Sequence, residues 1–558
     1  MEERRRPLRV GVLTNGTSVP RWRADILRLI AELPDVEVPI VIMNGEKLGG
    51  CRWRRFFELR RYKNIPFRLF SMLDARICNL FAGSRLATAE RGEDLKPVLP
   101  SAEFRTVTPE TCPPGLHHRF SPDDIEMVRE ADLDFLLHFG FGILCDQIID
   151  TPRNGILSFH HADNGVNRGA PPGFWEWFSA AHQTGVTLQR LTEELDDGRV
   201  ISRGSYQTRL WSCTANRRHA YLESQMLMVD AVARVAKGKA LRFEDEYQPL
   251  NIYASRLFMV PGILRSIAAT ALLLSRVAVR IAGRLRRRGT RWQLFVSKRN
   301  PDAAYDFSLT LRQATCLPPP PGRFWADPFI VQRDEGVFLF FEDLEYRQAK
   351  GKISYVRLNA DATVADYGVA LEESHHLSYP FVIEDAGDLF MIPEASASRK
   401  ITLYRCAKFP DRWEPVTDIL EDVSAGDATV LKRDGRYWLF TNMDRNGTGD
   451  HSCELHVFWA EALVGPWTAL PENPVIVDAA TARMAGGFIE DRHGGLYRCS
   501  QINGDGYGEG INFMWVEELT TESYRESRVE SIRPDWDGIV AMHHIHQSAD
   551  WITFDASH

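Results

Sequence analysis

Between Leu8 and about Lys237, short apolar runs (VGVLT, VEVPIVIM, LDFLLHFGFGIL, NGILSFHH) alternate with longer stretches of helical composition (ADILRLIAEL, DDIEMVREA, HAYLESQMLMVDAVARVAKG). That alternation predicts strands joined by helical crossovers, the grammar of a βαβ sheet. Beyond Arg291 the pattern changes to short β-branched and aromatic runs broken by Gly, Asp and Pro, and a loose unit recurs. It reads WADPFIVQRDEGVFLFFE from Trp325, YPFVIEDAGDLFMIPEAS from Tyr379, AGDATVLKRDGRYWLFTN from Ala425, MAGGFIEDRHGGLYRCSQ from Met484 and GIVAMHHIHQSADWITFD from Gly538. Each copy has a small or acidic start, a β run, a turn and a second β run. Measured at Phe329, Phe381, Ala428, Gly487 and Ala541, successive copies lie 52, 47, 59 and 54 residues apart. Units of this kind cannot bury both faces alone and close into a ring, so a five-bladed β-propeller is expected, with an irregular β-sandwich as the alternative. The expected fold class is multidomain: an α/β Rossmann-like domain over 1–250, a basic helical linker over 251–290 and an all-β five-bladed propeller over 291–558.

The linker carries most of the charge asymmetry. Between Asn251 and Thr290 there are eight arginines and no acid; with a net charge of −8 overall, the remainder carries −16. A polyanion needs a broad basic surface, which this balance excludes, so no nucleic-acid partner is expected. Within ILRSIAATALLLSRVAVRIAGRLRRR, Arg265, Arg276, Arg280, Arg284 and Arg287 recur at helical offsets and would line one face of a helix. Such a helix suits either peripheral contact with an anionic membrane through 262–288 or packing between domains. Its longest uncharged run, Ser266 to Ser275, falls short of the roughly 20 residues that span a bilayer.

Composition adds bounds. The chain has 558 residues, 44% hydrophobic and 25% charged, close to globular averages, and its length fits two to four domains. Nine cysteines lie scattered without a C-x-x-C pair, so neither a disulfide framework nor a zinc knuckle is indicated. The first residues run from charge directly into a strand-like stretch, so a cytoplasmic, membrane-peripheral location is expected. VGVLTNGTSVP lacks G-x-G-x-x-G, so no nicotinamide dinucleotide is implied.

The richest stretch is GILSFHHADNGVNRGAPP from Gly155 to Pro172, followed by TGVTLQRLTEELDDG from Thr184 to Gly198. With DLDFLLHFGFGIL ahead of it, this resembles the formyltransferase family, which includes methionyl-tRNA, glycinamide ribonucleotide and sugar N-formyltransferases. The resemblance implies that Phe139, Gly140, Phe141 and Gly142 form the loop beside formyltetrahydrofolate, the co-substrate. It also makes His160 and Asp196 the catalytic pair, sets Ser158 where the family has asparagine, and assigns Asn167 and Arg168 to the substrate side. Formyl transfer to an amine passes through a tetrahedral intermediate whose oxyanion needs a donor while the amine loses a proton. His160 would donate or shuttle the proton, and Asp196 would orient it. A serine hydroxyl is a less fixed donor than an amide, so a related acyl-transfer or hydrolytic enzyme and a non-catalytic binding domain stay open beside formyl transfer. A Ser-His-Asp hydrolase triad is the weaker reading, because no G-x-S-x-G elbow surrounds Ser158.

In the second half, WADPF at Trp325–Phe329, YPFVI…MIPEAS at Tyr379–Ser396 and DATV…GRYWLF at Asp427–Phe440 resemble the N-terminal propeller of plant glucosamine inositolphosphorylceramide transferases. They also resemble five-bladed glycoside hydrolases. The resemblance implies that Asp327, Glu394, Asp427, Arg483 and His544 gather at one funnel and contact sugar. Two carboxylates there could cleave a glycosidic bond, bind sugar without cleavage, or serve structure alone. His543, His544 and His546 lack an acidic or cysteine ligand set at a recognised spacing, so no metal is expected. Together these readings point to formyl transfer onto an amino-sugar nucleotide or lipid-linked glycan, the propeller holding the glycan. The alternatives are a propeller glycosidase or transglycosylase, and a non-catalytic carbohydrate-binding assembly protein.

Overall fold

The computed structural model describes residues 6–45, 65–112, 117–163, 167–192, 198–244, 256–286, 291–299, 311–491, 493–504 and 506–558. The chain divides into two compact units, Met1–Ile281 and Ala282–His558.

The first unit is built on a seven-stranded sheet. Its order is Arg199–Gln207, Gln183–Arg190, Ile156–His160, Phe135–His138, Leu8–Thr14, Val36–Asn44 and Glu103–Val107. The last five are mutually parallel, and Gln183–Arg190 and Arg199–Gln207 add on antiparallel. Strands covered on both faces read as continuous apolar runs, and Val10, Val12, Leu13, Phe135, Leu136 and Leu137 are indeed wholly buried. The helix Pro122–Glu130 begins where the sequence provides for it. Ser121 Oγ accepts from the Asp124 amide at 3.2 Å, proline opens the first turn, and Asp123 and Asp124 face the positive end of the helix. From Leu8–Thr14 the chain winds outward through Val36–Asn44 to Glu103–Val107, then returns to lay Phe135–His138 on the other flank of the first strand. That reversal makes a switch point at the carboxyl ends of Leu8–Thr14 and Phe135–His138, where open α/β sheets bind ligands.

The helix Ile263–Arg286, expected as part of a linker, packs through Ala269 and Leu273 into a cluster with Phe70, Phe174 and Trp177 of this unit. Arg276 and Arg280 turn toward this unit. Arg276 donates to the Trp177 carbonyl at 2.8 Å and lies 4.9 Å from the Trp177 ring; Arg280 lies 4.6 Å from the Trp211 ring. Arg287 and the Arg284 side chain lie outside the described residues.

The second unit is β-rich. The strands Arg323–Arg333, Ser378–Asp385, Ala425–Arg433 and Met484–Glu490 each open an antiparallel group that runs outward through the strands after it. A fifth group runs Ile545–Gln547, Trp551–Ser557, Trp292–Lys298 and Thr315–Leu317, so a strand from the beginning of the unit closes against one from its end. The opening strands contact one another in sequence, and Ile545–Gln547 returns to Arg323–Arg333. Two-residue hairpins at Ala386-Gly387 and Asp434-Gly435 have positive φ at both positions, matching the right-handed twist of the strands they join.

Candidate functional sites

In the first unit, Ile156–His160 pairs on both sides without a break, Leu157 with Leu137 in parallel and Ser158 through His160 with Gln189 through Thr187 antiparallel. A regular pleat sends residues i and i+2 to one face, so Ser158 and His160 share a side as expected. Ser158 is buried and His160 half-buried. The Phe139–Gly142 loop sits at the switch point. Phe139 N–H donates to the Leu13 carbonyl at 2.9 Å, and Phe141 N–H to Asn15 Oδ1 at 2.7 Å. Only glycine fits at 140, because a Cβ there would fall 2.3 Å from the Thr14 carbonyl carbon. Gly142 N–H donates to His118 Nδ1 at 3.0 Å, and the Phe139 carbonyl accepts from Arg23. Asp196 lies outside the described residues, as do the side chains of Asn167 and Arg168, whose strand Asn167–Gly169 pairs in parallel with Arg256–Phe258.

His138 is the residue that sequence reasoning missed. The parallel register carries it beside Ser158, with Nδ1 3.3 Å from Ser158 Oγ. Burial, reinforced by the Arg23 guanidinium, lowers its pKa to about 4, so the ring is neutral at physiological pH. Its Nε2 is sealed from solvent, and the Gly142 backbone acts on the ring by a hydrogen bond that opposes the lowering. The neutral ring accepts the serine proton at Nδ1 in one tautomer and donates to Ser158 Oγ in the other, and the second leaves the serine proton free to point at a reacting oxygen. The twenty-residue separation hides this pair from any local motif. On the opposite face of the strand from Ser158, with Phe159, the His161 ring lies 4.4 Å from Tyr221, 5.5 Å from Trp22 and 5.7 Å from Phe159. Phe159, His161 and Tyr221 are half-buried.

In the second unit the residues expected at the funnel fall into two ion-pair groups. Asp327, Tyr379, Asp427 and Gly486 occupy matching bulges on four successive opening strands, with φ of 53°, 44°, 51° and 110°. Left-handed backbone at non-glycine residues costs about 1–3 kcal/mol each and gathers at functional sites. Gly486 is required, since a Cβ would lie 1.9 Å from the Ile545 carbonyl oxygen. Tyr379 ties the bulges together: its hydroxyl donates to the Gly486 carbonyl at 2.9 Å, accepts from the Gly486 amide at 3.0 Å and lies 2.8 Å from Thr429 Oγ1.

One group centres on Arg483, whose Nε lies 2.6 Å from Asp427 Oδ2 and whose Nη2 lies 4.0 Å from Glu394 Oε2. Glu394 Oε2 also accepts the Asp427 amide at 3.1 Å. Burial, with the Asp427 charge beside it, pushes the Glu394 carboxyl well above the ordinary range. Burial works against the Asp427 anion too, but the Arg483 cation outweighs it and holds Asp427 below its usual value. The proton of this pair therefore sits on Glu394. Two carboxyls pushed apart in this way are how acid and base roles are divided.

The other group centres on His543, with Nε2 3.2 Å from Asp327 Oδ1 and Nδ1 3.0 Å from Asp555 Oδ1. Burial opposes its charging, yet Asp555 and Asp327 hold its pKa at about 10. Asp327, His543 and Asp555 bring ligand atoms within 4.8 Å of one another, a spacing that could hold an ion. An ion there would have to displace the proton that Asp327 and Asp555 hold on His543. His544 Nδ1 lies 3.7 Å from Asp327 Oδ1, and burial lowers its pKa, so it stays neutral. Asp555 and Tyr379 were not among the residues singled out from sequence.

Two family models match the chain. The formyl transferase model covers residues 85–212, and the model for the N-terminal part of glucosamine inositolphosphorylceramide transferase 1 covers 310–551. Glucosamine inositolphosphorylceramide transferase 1 of Oryza sativa subsp. japonica is 33% identical over 245 residues, 41% of this chain and 32% of that protein. Methionyl-tRNA formyltransferase of Phenylobacterium zucineum is 31% identical over 156 residues, 27% of this chain and 49% of that protein. The chain thus spans about a third to a half of the length of these relatives. Among solved structures, a family 117 glycoside hydrolase from Zobellia galactanivorans aligns at 12% identity with a TM-score of 0.31, over 42% of this chain and 85% of its own. Glycinamide ribonucleotide transformylase 1 from Symbiobacterium toebii aligns at 14% identity with a TM-score of 0.29, over 44% and 96%. The N-terminal half of this chain resembles the formyltransferase family, and its C-terminal half resembles the N-terminal part of the plant glucosamine inositolphosphorylceramide transferases.

Proposed function

We propose that the chain transfers a formyl group from formyltetrahydrofolate to the amino group of a nucleotide- or lipid-linked sugar, and that its second unit is a five-bladed propeller that holds the glycan. The observation that carries the reading is the placement of Ser158 and His160 on one face of a strand beside the switch point, inside the stretch that the formyl transferase model matches. Formyltetrahydrofolate would supply the activated formyl carbon. His138, buried and 3.3 Å from Ser158 Oγ, fits a site in which that hydroxyl is held in place. In this reading His160 donates to the oxyanion of the tetrahedral intermediate or relays the amine proton, and Asp196 orients it. Ser158, oriented by His138, supplies the second donor. The ring of opening strands in the second unit supports the propeller, and the chain would work in the cytoplasm. The test is incubation with formyltetrahydrofolate carrying labelled formyl and a panel of amino-sugar nucleotides. Label on the sugar nitrogen is expected, and no transfer to any acceptor overturns the reading.

A second reading follows from the protonated Glu394 beside the ionised Asp427: the second unit itself cleaves or transfers a glycosyl bond, with Asp327 as base or nucleophile. Asp327→Asn separates the two. It abolishes glycan turnover under the second reading and leaves formyl-folate consumption intact under the first.

A further inference from the structure

The helix Ile263–Arg286 is apolar on two faces: one packs on the first unit through Ala269 and Leu273, and the other faces outward. A surface helix normally buries its apolar stripe and exposes its charges. Here Arg276 and Arg280 lie on the Trp177 and Trp211 rings and Arg265 is exposed 5.3 Å from the Trp175 ring, while a second set of apolar residues faces outward. Leu264 is 82% exposed, Ile267 60%, Leu274 52% and Val279 73%. With Ala271, Ala278 and Ile281, the outward residues recur at three- and four-residue spacing, a stripe about 25 Å long at 1.5 Å per residue. The helix Ile65–Phe81 packs beside it through Phe70, Leu73 and Ile77 and exposes Leu69, Met72 and Leu80. Exposed apolar area on this scale marks an interaction surface.

We propose that these two helices lie in the plane of a phospholipid bilayer surface, with the stripe seated at the headgroup–acyl boundary. Charge selects the occupant. Arg68 and Arg76 are exposed on the second helix and Arg265 on the first. Neither helix exposes an acid: Ile263–Arg286 contains none, and Asp74 of the other is buried, accepting from Ser212 Oγ and the Thr214 amide. An apolar stripe with a cationic rim complements anionic lipid, whereas a second copy of the chain would bring like charges together. By length and composition Ile263–Gly283 could also cross a membrane, its mean hydropathy reaching 1.5 over 18 residues that include Arg276 and Arg280, which corrects the expectation from its uncharged run alone. The seating of Ala269, Leu273 and those arginines on the first unit favours lying flat. The membrane contact expected from sequence is thus retained but reversed in mode, with leucine and isoleucine making it and arginine anchoring the helix to the protein.

The test is flotation of the full chain with vesicles of phosphatidylcholine and phosphatidylglycerol, comparing wild type with the triple variant Leu264→Ser, Ile267→Ser, Leu274→Ser. Wild type is expected to float with the vesicles and to release in alkaline carbonate. The variant, its circular dichroism and thermal transition unchanged because all three side chains are exposed, should partition on the order of a hundredfold more weakly. The proposal is overturned by wild type that stays in solution at every lipid concentration, by a variant that floats equally well, or by resistance to carbonate, which would mean a crossing helix. Lipid-free dimers of wild type that the variant fails to form, without vesicle binding, would likewise overturn it in favour of a second copy.

Discussion

Replacing Arg483 by methionine removes the one cation that touches both Asp427 and Glu394, while keeping much of the side-chain volume. In the native cluster the guanidinium lies 2.6 Å from Asp427, and both groups are almost wholly buried. Breaking a buried pair by deleting one partner leaves an uncompensated charge and costs about 3–5 kcal/mol. The penalty should depend on pH in a definite direction. Asp427 is held below its ordinary pKa, so it contributes stability that is present above the unfolded value near 3.8 and lost as pH falls through the folded one. Without Arg483 its pKa rises. The variant then gains protons on folding at neutral pH, and its deficit shrinks as the buffer is acidified toward pH 5. Urea denaturation of the full chain, following the fluorescence transition of the second unit at pH 5, 6 and 7, reads both quantities. A deficit below about 1 kcal/mol at pH 7, or one that does not change with pH, would refute the argument that Asp427 and Glu394 depend on this cation.

Three further outcomes follow. His138→Phe should preserve folding but loosen the Ser158 hydroxyl; if that hydroxyl is a donor to the oxyanion, formyl-folate turnover falls about 10²–10³-fold with KM little changed, whereas Ser158→Asn restores part of the rate in that background. His543, with a folded pKa near 10 against about 6.5 unfolded, contributes stability fully present below pH 6.5 and lost as pH rises through 10. Stability of the second unit should therefore decline between pH 7.5 and 9.5 by at most about 1.4 kcal/mol per pH unit, and His543→Gln should flatten that slope; an unchanged slope in the variant would show that other groups carry it. Arg498→Met should cost about 3–5 kcal/mol in the same urea assay, because Arg498 is wholly buried and its Nη2 lies 2.5 Å from Glu526.

Much of the architecture was legible because it rests on local patterns. The run Leu8–Thr14 is continuous because it is covered on both faces, and Asp434-Gly435 announces its hairpin through the only backbone conformation such a turn accepts. What was not legible depends on register and long-range packing. Nothing near His138 says that a parallel neighbour twenty residues on will carry Ser158 to its ring. The bulges at Asp327, Tyr379 and Asp427 require left-handed backbone that no propensity for these residues predicts, yet they bring the opening strands' side chains together. The arginines of Ile263–Arg286 were read correctly as sharing helical spacing. Their direction was missed, because it is set by three tryptophan rings at 175, 177 and 211 that the helix sequence does not contain. Asp555 escaped notice because it acts through its pairing with His543 rather than through any motif of its own.

The formyl-transfer reading meets its sharpest test in the rate at which the full chain consumes formyltetrahydrofolate in the presence of an amino-sugar acceptor, compared with His160→Ala. A loss of about 10²–10⁴-fold with folate affinity retained is the predicted result. Equal consumption by the variant would contradict the role assigned to His160 and leave the second unit as the place to look for chemistry.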